Sequence, residues 1–144
     1  MFLLPSAPHQ ELYYASLNRE LVTISPQTFA PAIGKSVRRL YAALGTGLVE
    51  AEVGRRLANW FSSHLSNFSF GWAWKEWATD MSLDPAHPRR AFVRSLVDLC
   101  VRLSYYDRIK SVIPAELQAG ALAAQEPGPD FGYAQPGELL TSDR

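Results

Sequence analysis

Apolar positions return at helical spacing through most of this chain, with polar residues in the gaps. Tyr13, Leu17, Leu21 and Ile24 stand at i, i+4, i+8 and i+11, which predicts one buried face on a helix from Pro8 or His9 to Val22. Ser25-Pro26 ends it. Ile33, Val37, Leu40, Tyr41 and Leu44 form the stripe of a second helix, expected to start at Thr28 as N-cap with Pro31 in its first turn. Gly45-Thr46-Gly47 stops that helix, because glycine takes a left-handed cap at little cost. The third stripe is the most regular: Val53, Leu57, Trp60, Phe61, Leu65 and Phe68, with Glu50 and Glu52 in the first turn, where the helix dipole favours acids. Arg55, Arg56, Asn59, Ser62, Ser63 and Ser66 are expected on the opposite side.

Beyond this helix the pattern changes. Phe68, Phe70, Trp72 and Trp74 alternate with Ser69, Gly71 and Ala73. Alternation is the period of a strand, but no other segment offers a strand to pair with, so the stretch reads as an extended connection. From Trp74 the spacing turns helical, through Trp77 and Ala78 to about Met81. The turn-rich run Asp84-Pro85-Ala86-His87-Pro88 leads into a long helix from about Pro88 to Tyr105. Phe92, Leu96, Leu99 and Leu103 line one face of it, and Val93, Val97, Cys100 and Val101 widen that face, which predicts burial against two neighbours. Arg94, Asp98 and Arg102 form a charge ladder on the solvent side. A last turn from Asp107 to Val112 ends at Pro114.

The elements predict an all-α protein of antiparallel helix pairs, one pair over about 8–44 and a second over about 49–104. That organisation suits a HEAT-like helical repeat of the ARM-type superhelical class, in which each unit buries its apolar faces against neighbours. Residues 1–114 are expected to form one helical-repeat domain. Past Ala119 the apolar period stops and glycine and proline accumulate, so 115–144 reads as a linker or disordered tail. The abrupt start beside a helix is what a piece of a longer protein, or a truncated gene, would show.

Composition narrows the function classes. The 144 residues are 47% hydrophobic and 19% charged, which suits one soluble domain. Formal net charge is zero but uneven: 13 basic and 9 acidic side chains up to Val112, against 1 basic and 5 acidic from Ile113 onward. A dedicated nucleic-acid module shows a clearer basic excess, because phosphate neutralisation supplies much of its affinity. Cys100 is the single cysteine, so no intrachain disulfide or cysteine-based zinc site is expected, and a reducing compartment fits. MFLLPSAP has too short an apolar run and no basic start for a signal peptide. No segment approaches the roughly 20 apolar residues of a membrane span.

Candidate chemistry is sparse. His64 lies beside the apolar stripe of the third helix without a second histidine at i+3 or i+4, which reads as a structural histidine rather than a base or metal ligand. Cys100 faces the core as a small hydrophobe; a nucleophile would need a histidine and an electropositive setting. A hydrolase built on His64 and Cys100 is the remaining enzymatic reading. Glu76 and Asp80 at i, i+4 read as a solvated helix face. None of the phosphate-loop, dinucleotide, serine-elbow or zinc-protease motifs is present, so no enzyme, cofactor or metal is expected. Trp72, Trp74 and Trp77 admit two readings: a cage that sandwiches a cationic ring such as methylated guanine, or a structural joint made with Trp60, Phe61 and Phe68. Arg89, Arg90 and Arg94 form the densest basic group, a candidate contact for phosphate or an acidic partner.

One long stretch carries a family likeness. Trp60-Phe61, His64-Leu65-Ser66-Asn67-Phe68, Trp72, Trp74, Trp77, Asp84-Pro85, Phe92-Val93-Arg94, Arg102-Leu103-Ser104-Tyr105 and Arg108-Ile109 together resemble the middle helical-repeat domain of the large subunit of the eukaryotic nuclear cap-binding complex. PSAPHQELYYASLNREL extends the likeness more loosely, so that it covers about 2–114. The resemblance implies a fold like the middle domain of translation initiation factor 4G. It also implies a nuclear, non-enzymatic scaffold that pairs tightly with a small RNA-recognition-motif subunit. In that family the small subunit holds the cap between its own aromatic rings, and the large subunit offers surfaces to splicing, export and decay factors. Capped RNA would then reach this chain indirectly. The competing reading is a direct RNA or cap binder using the tryptophans with Arg89, Arg90 and Arg94.

Overall fold

Ser25 alone separates the first two helices, α1 (Glu11–Ile24) and α2 (Pro26–Leu44), in the computed structural model, which describes residues 3, 8–124 and 128. Proline at the first helical position has no N–H to leave unpaired, so α2 starts at Pro26, earlier than the Thr28 cap expected from sequence. The Thr28 hydroxyl instead meets the Ser25 hydroxyl at 3.0 Å. Pro31 therefore falls inside α2, where the carbonyl its missing N–H would have bonded, that of Gln27, belongs to an exposed turn. The α2 stripe packs as its spacing requires: Val37, Tyr41 and Leu44 are buried, Ile33 and Leu40 half-buried. Gly47 takes a left-handed φ of 73° and turns the chain toward α3 (Ala51–Ser66).

The buried face of α1 differs from expectation. Tyr13, Leu17 and Ile24 are 52%, 46% and 77% exposed, and Leu21 is only half-buried. Tyr14, Ala15 and Val22 are buried in their place. The physical reason is Ala15: its methyl is fully enclosed, and a side chain that small lets α1 lie close on α3, its main neighbour. The Asn18 side-chain amide then donates to the Tyr14 carbonyl at 2.8 Å.

Leu57, Trp60, Phe61 and Leu65 of α3 are buried together with Ala58, His64 and Ser62. Ser62, expected on the solvent side, returns its hydroxyl to the Asn59 carbonyl at 2.8 Å, which satisfies it locally. After α3 the chain reverses instead of extending. Ser69 and Phe70 both sit in the left-handed region, at φ 55° and 61°, and the Phe70 N–H donates back to the Leu65 carbonyl at 2.8 Å. Phe70 is thereby turned under the helix and buried. A nine-residue 3-10 helix, Trp74–Ser82, follows. Side chains three apart eclipse in that geometry, which brings Trp74 and Trp77 onto one buried edge.

His87 starts α4 (Pro88–Leu103), its Nδ1 accepting the Arg89 N–H at 3.2 Å. Phe92, Val93, Leu96, Val97 and Cys100 are buried, against α3 above all and against α2, the 3-10 helix and the C-terminal helices besides, as so wide a stripe predicts. Leu99 and Val101 are half-buried, and Leu103 is 51% exposed, because α4 ends there. Asp98 pairs with Arg102 at 2.9 Å on the exposed side. Next come α5 (Tyr106–Val112) and a further helix, α6 (Ala115–Ala121).

The boundary expected at residue 114 falls short, because α6 is packed and not a linker. Leu117 is fully buried, α6 lies on the 3-10 helix and α4, and Gln118 donates its amide to the carbonyls of Lys110 and Ile113 at 2.9 and 3.0 Å. The rest of the expected tail lies outside the described residues from 125 onward, Gly128 apart. Among the described residues there are seven helical segments and no strand, so the fold is all-α.

Candidate functional site

The aromatic residues after α3 converge on one joint. Trp77, 2% exposed, is its centre. Its indole stacks on Tyr41 of α2 at 4.7 Å between centroids and meets Phe61, Trp74 and Phe92 edge to face at 6.3, 6.0 and 5.9 Å. Trp74, 3% exposed, donates its indole N–H to the Phe70 carbonyl at 3.0 Å, so the left-handed turn and the 3-10 helix are tied together. Trp72 is half-buried: Phe61 meets it at 84°, Trp77 at 42°, and the Arg38 guanidinium covers it at 4.8 Å. Trp60 is buried at the other end beside Phe61 and His64, and Phe68 is half-buried against His64.

A cage for a planar cation needs two near-parallel rings with a gap between them. Trp72 and Trp77 cross at 42° with centroids 5.3 Å apart, and Trp74 and Trp77 at 85° and 6.0 Å, so neither pair presents that gap. Their geometry is that of packing.

Polar groups fasten the same joint to α2. Arg38 forks onto Glu76 through two hydrogen bonds of 2.7 and 2.9 Å. That guanidinium holds the Glu76 carboxyl below the usual carboxylate range. Tyr41 donates its hydroxyl to Asp80, and burial first, then that bond, raises its pKa. Glu76 and Asp80 are therefore anchors for α2 rather than a merely solvated face. Spacing within one helix carries no signal for partners 38 and 39 residues away.

The three arginines of the basic group separate. Arg89 donates to the Ala42 carbonyl at 3.1 Å, lies over the Tyr41 ring at 5.5 Å and comes within 4.0 Å of Asp80. It caps the end of α2, where carbonyls lack helical partners. Arg90 donates to the Leu83 carbonyl and holds the loop before α4. Arg94 is exposed and borders, with Arg90 and Asp98, an open cleft of about 690 Å³ between α4 and α6.

His64 and Cys100 lack the settings that catalysis requires. The His64 imidazole is 8% exposed, stacked at 5.2 Å on Trp60, and its Nδ1 is enclosed without a hydrogen-bond partner. Burial lowers its pKa from the ordinary 6.5. Cys100 is fully enclosed, and burial pushes its thiol up to about 12, the opposite of a nucleophile's shift. A cavity of about 270 Å³ beside His64 is lined by apolar groups, among them Ile33, Phe61, Phe68 and Trp72. Among the described residues no three His, Cys, Asp or Glu side chains come together to hold a metal ion. No helix among them is long and apolar enough to cross a membrane.

His64 does give the fold a pH dependence. Its folded pKa lies below the unfolded one, so the unfolded chain binds the proton first, and stability is complete above about pH 6.5 and falls as pH drops toward the folded pKa. Urea unfolding between pH 8 and pH 5 is expected to show that decline, and His64→Phe to flatten it. An equal decline in both proteins would place the cause elsewhere.

Comparison with known proteins adds what this geometry cannot. A protein-family model described as MIF4G like matches residues 1–115. Nuclear cap-binding protein subunit 1 of Homo sapiens is 37% identical over 119 residues, 83% of this chain and 15% of that protein. The Schizosaccharomyces pombe protein of the same name is 38% identical over 125 residues, 87% of this chain and 16% of its own. The Arabidopsis thaliana one is 37% identical over 134 residues, 93% of this chain and 16% of its own. The chain thus spans about one sixth of the length of these relatives.

Proposed function

Because this chain belongs to the MIF4G-like family and is homologous over most of its length to nuclear cap-binding protein subunit 1, we propose that it is a non-enzymatic scaffold segment of a nuclear mRNA cap-binding complex. In this reading it supports the small RNA-recognition-motif subunit, which contacts the cap, and offers surface to factors of splicing, export and decay. Capped RNA is met only through the small subunit, and the site of action is the nucleus. The observation that carries the reading is 37–38% identity sustained over more than four fifths of the chain in fungal and animal relatives. The packing of the aromatic joint supports it: rings committed to one another at 42° to 85° leave the cap to a partner. Of the basic group, Arg94 is the residue we assign to a partner contact, since Arg89 and Arg90 are engaged by backbone carbonyls.

The test is a chimera. Residues 1–124 of this chain replace the matched segment of the full-length Schizosaccharomyces pombe subunit 1, and the product is purified with the small subunit from the same organism. A one-to-one complex that is retained on capped RNA is the expected result. A chimera that folds but leaves the small subunit unbound would sink the reading.

A further inference from the structure

Helix α1 is apolar on two faces. One face, with Tyr14, Ala15 and Val22, lies in the core. The other carries Tyr13, Leu17, Leu21 and Ile24 at i, i+4, i+8 and i+11, with Tyr13, Leu17 and Ile24 52%, 46% and 77% exposed. A surface helix normally shows one apolar stripe, and a second marks an element that lies between two layers. Isolated exposed apolar side chains need no explanation, but a stripe that runs the length of a helix at its own period does.

We infer that this stripe is the seat of a further amphipathic helix from outside the chain, the adjoining unit of the helical repeat in a family-length polypeptide. The spacing selects a helix as occupant, because positions four, four and three apart present a straight ridge that the groove of another helix accepts. The family selects the source: the chain matches 14–16% of its relatives' length, and repeat units bury their faces against neighbours. A second copy of this chain is the weaker occupant. One such stripe on a 14-residue helix falls short of the roughly 1,200 Å² that a specific interface between separate molecules buries. A neighbour in the same polypeptide needs no such area, since linkage removes most of the entropy cost of association.

The test compares α1 in two settings. Hydrogen exchange of the α1 amides is measured in the 144-residue chain and in the Schizosaccharomyces pombe chimera. The expected result is exchange slower by roughly tenfold or more in the chimera, with the gain abolished by Tyr13→Gln, Leu17→Gln and Ile24→Gln together. In the isolated chain the same three changes leave α1 exchange and the melting temperature unaltered, and sedimentation shows a monomer with and without them. Equal exchange in both settings overturns the inference. So does an isolated chain that is a dimer until the triple change dissociates it. A chimera that fails to fold also counts against it, since the face would then not accept the relative's neighbouring helix. Small-subunit binding does not enter this readout, so its loss would bear on the proposed function alone.

Discussion

Trp77→Ala loses about 3–5 kcal/mol of stability, the range for truncating a large buried aromatic. The indole is 2% exposed and touches rings from α2, α3, the connection after α3 (Trp72) and α4. Its removal leaves a void that four separate elements border, and none closes it without leaving its own contacts. A domain of this size holds about 5–15 kcal/mol, so the variant stands close to unfolding at physiological temperature. Urea denaturation measures it directly, with Trp74→Phe as the companion. That change keeps most of the volume but leaves the Phe70 carbonyl without its donor, and about 1–3 kcal/mol is expected. A near-neutral Trp77→Ala would contradict the packing described above.

Leu117→Ala costs about 2–5 kcal/mol, although it lies beyond the boundary that sequence suggests. Leu117 is fully enclosed, and α6 rests on the 3-10 helix that carries Trp74 and Trp77. The approach is close: a Cβ added at Gly120 would stand 2.7 Å from the Met81 Cβ. Gly120→Val therefore lifts α6 off Met81 and destabilises in the same direction. If α6 were an appendage, both variants would unfold at the urea midpoint of the parent.

What could be read from sequence follows from how each element is buried. The stripes of α2, α3 and α4 are single and amphipathic, so spacing alone identifies Val37, Phe61 and Leu96 as core. Helix α1 has two apolar faces, and periodicity cannot tell which meets α3; the small Ala15 decided it. Helix α6, AELQAGA, has one large apolar residue, too few to show a period, yet that residue is fully buried. The Phe68–Trp74 alternation imitates a strand because two left-handed residues reverse the chain, and neither Ser69 nor Phe70 advertises that conformation. For the candidate site, the clustering of aromatics was visible in composition, while the angles between rings, which decide cage against joint, arise only from tertiary packing. The anchors Arg38–Glu76 and Tyr41–Asp80 were illegible for the same reason.

All four tryptophans of the chain belong to one contiguous group of rings, joined through Phe61. Optically they form a single reporter. Excitation absorbed by any one indole passes readily to neighbours at such separations, and the near-ultraviolet circular dichroism arises from the same asymmetric cluster. Intrinsic emission therefore reads the integrity of this aromatic joint, and a ligand or partner that docks on the outer side of α4 registers only as far as it loosens the joint.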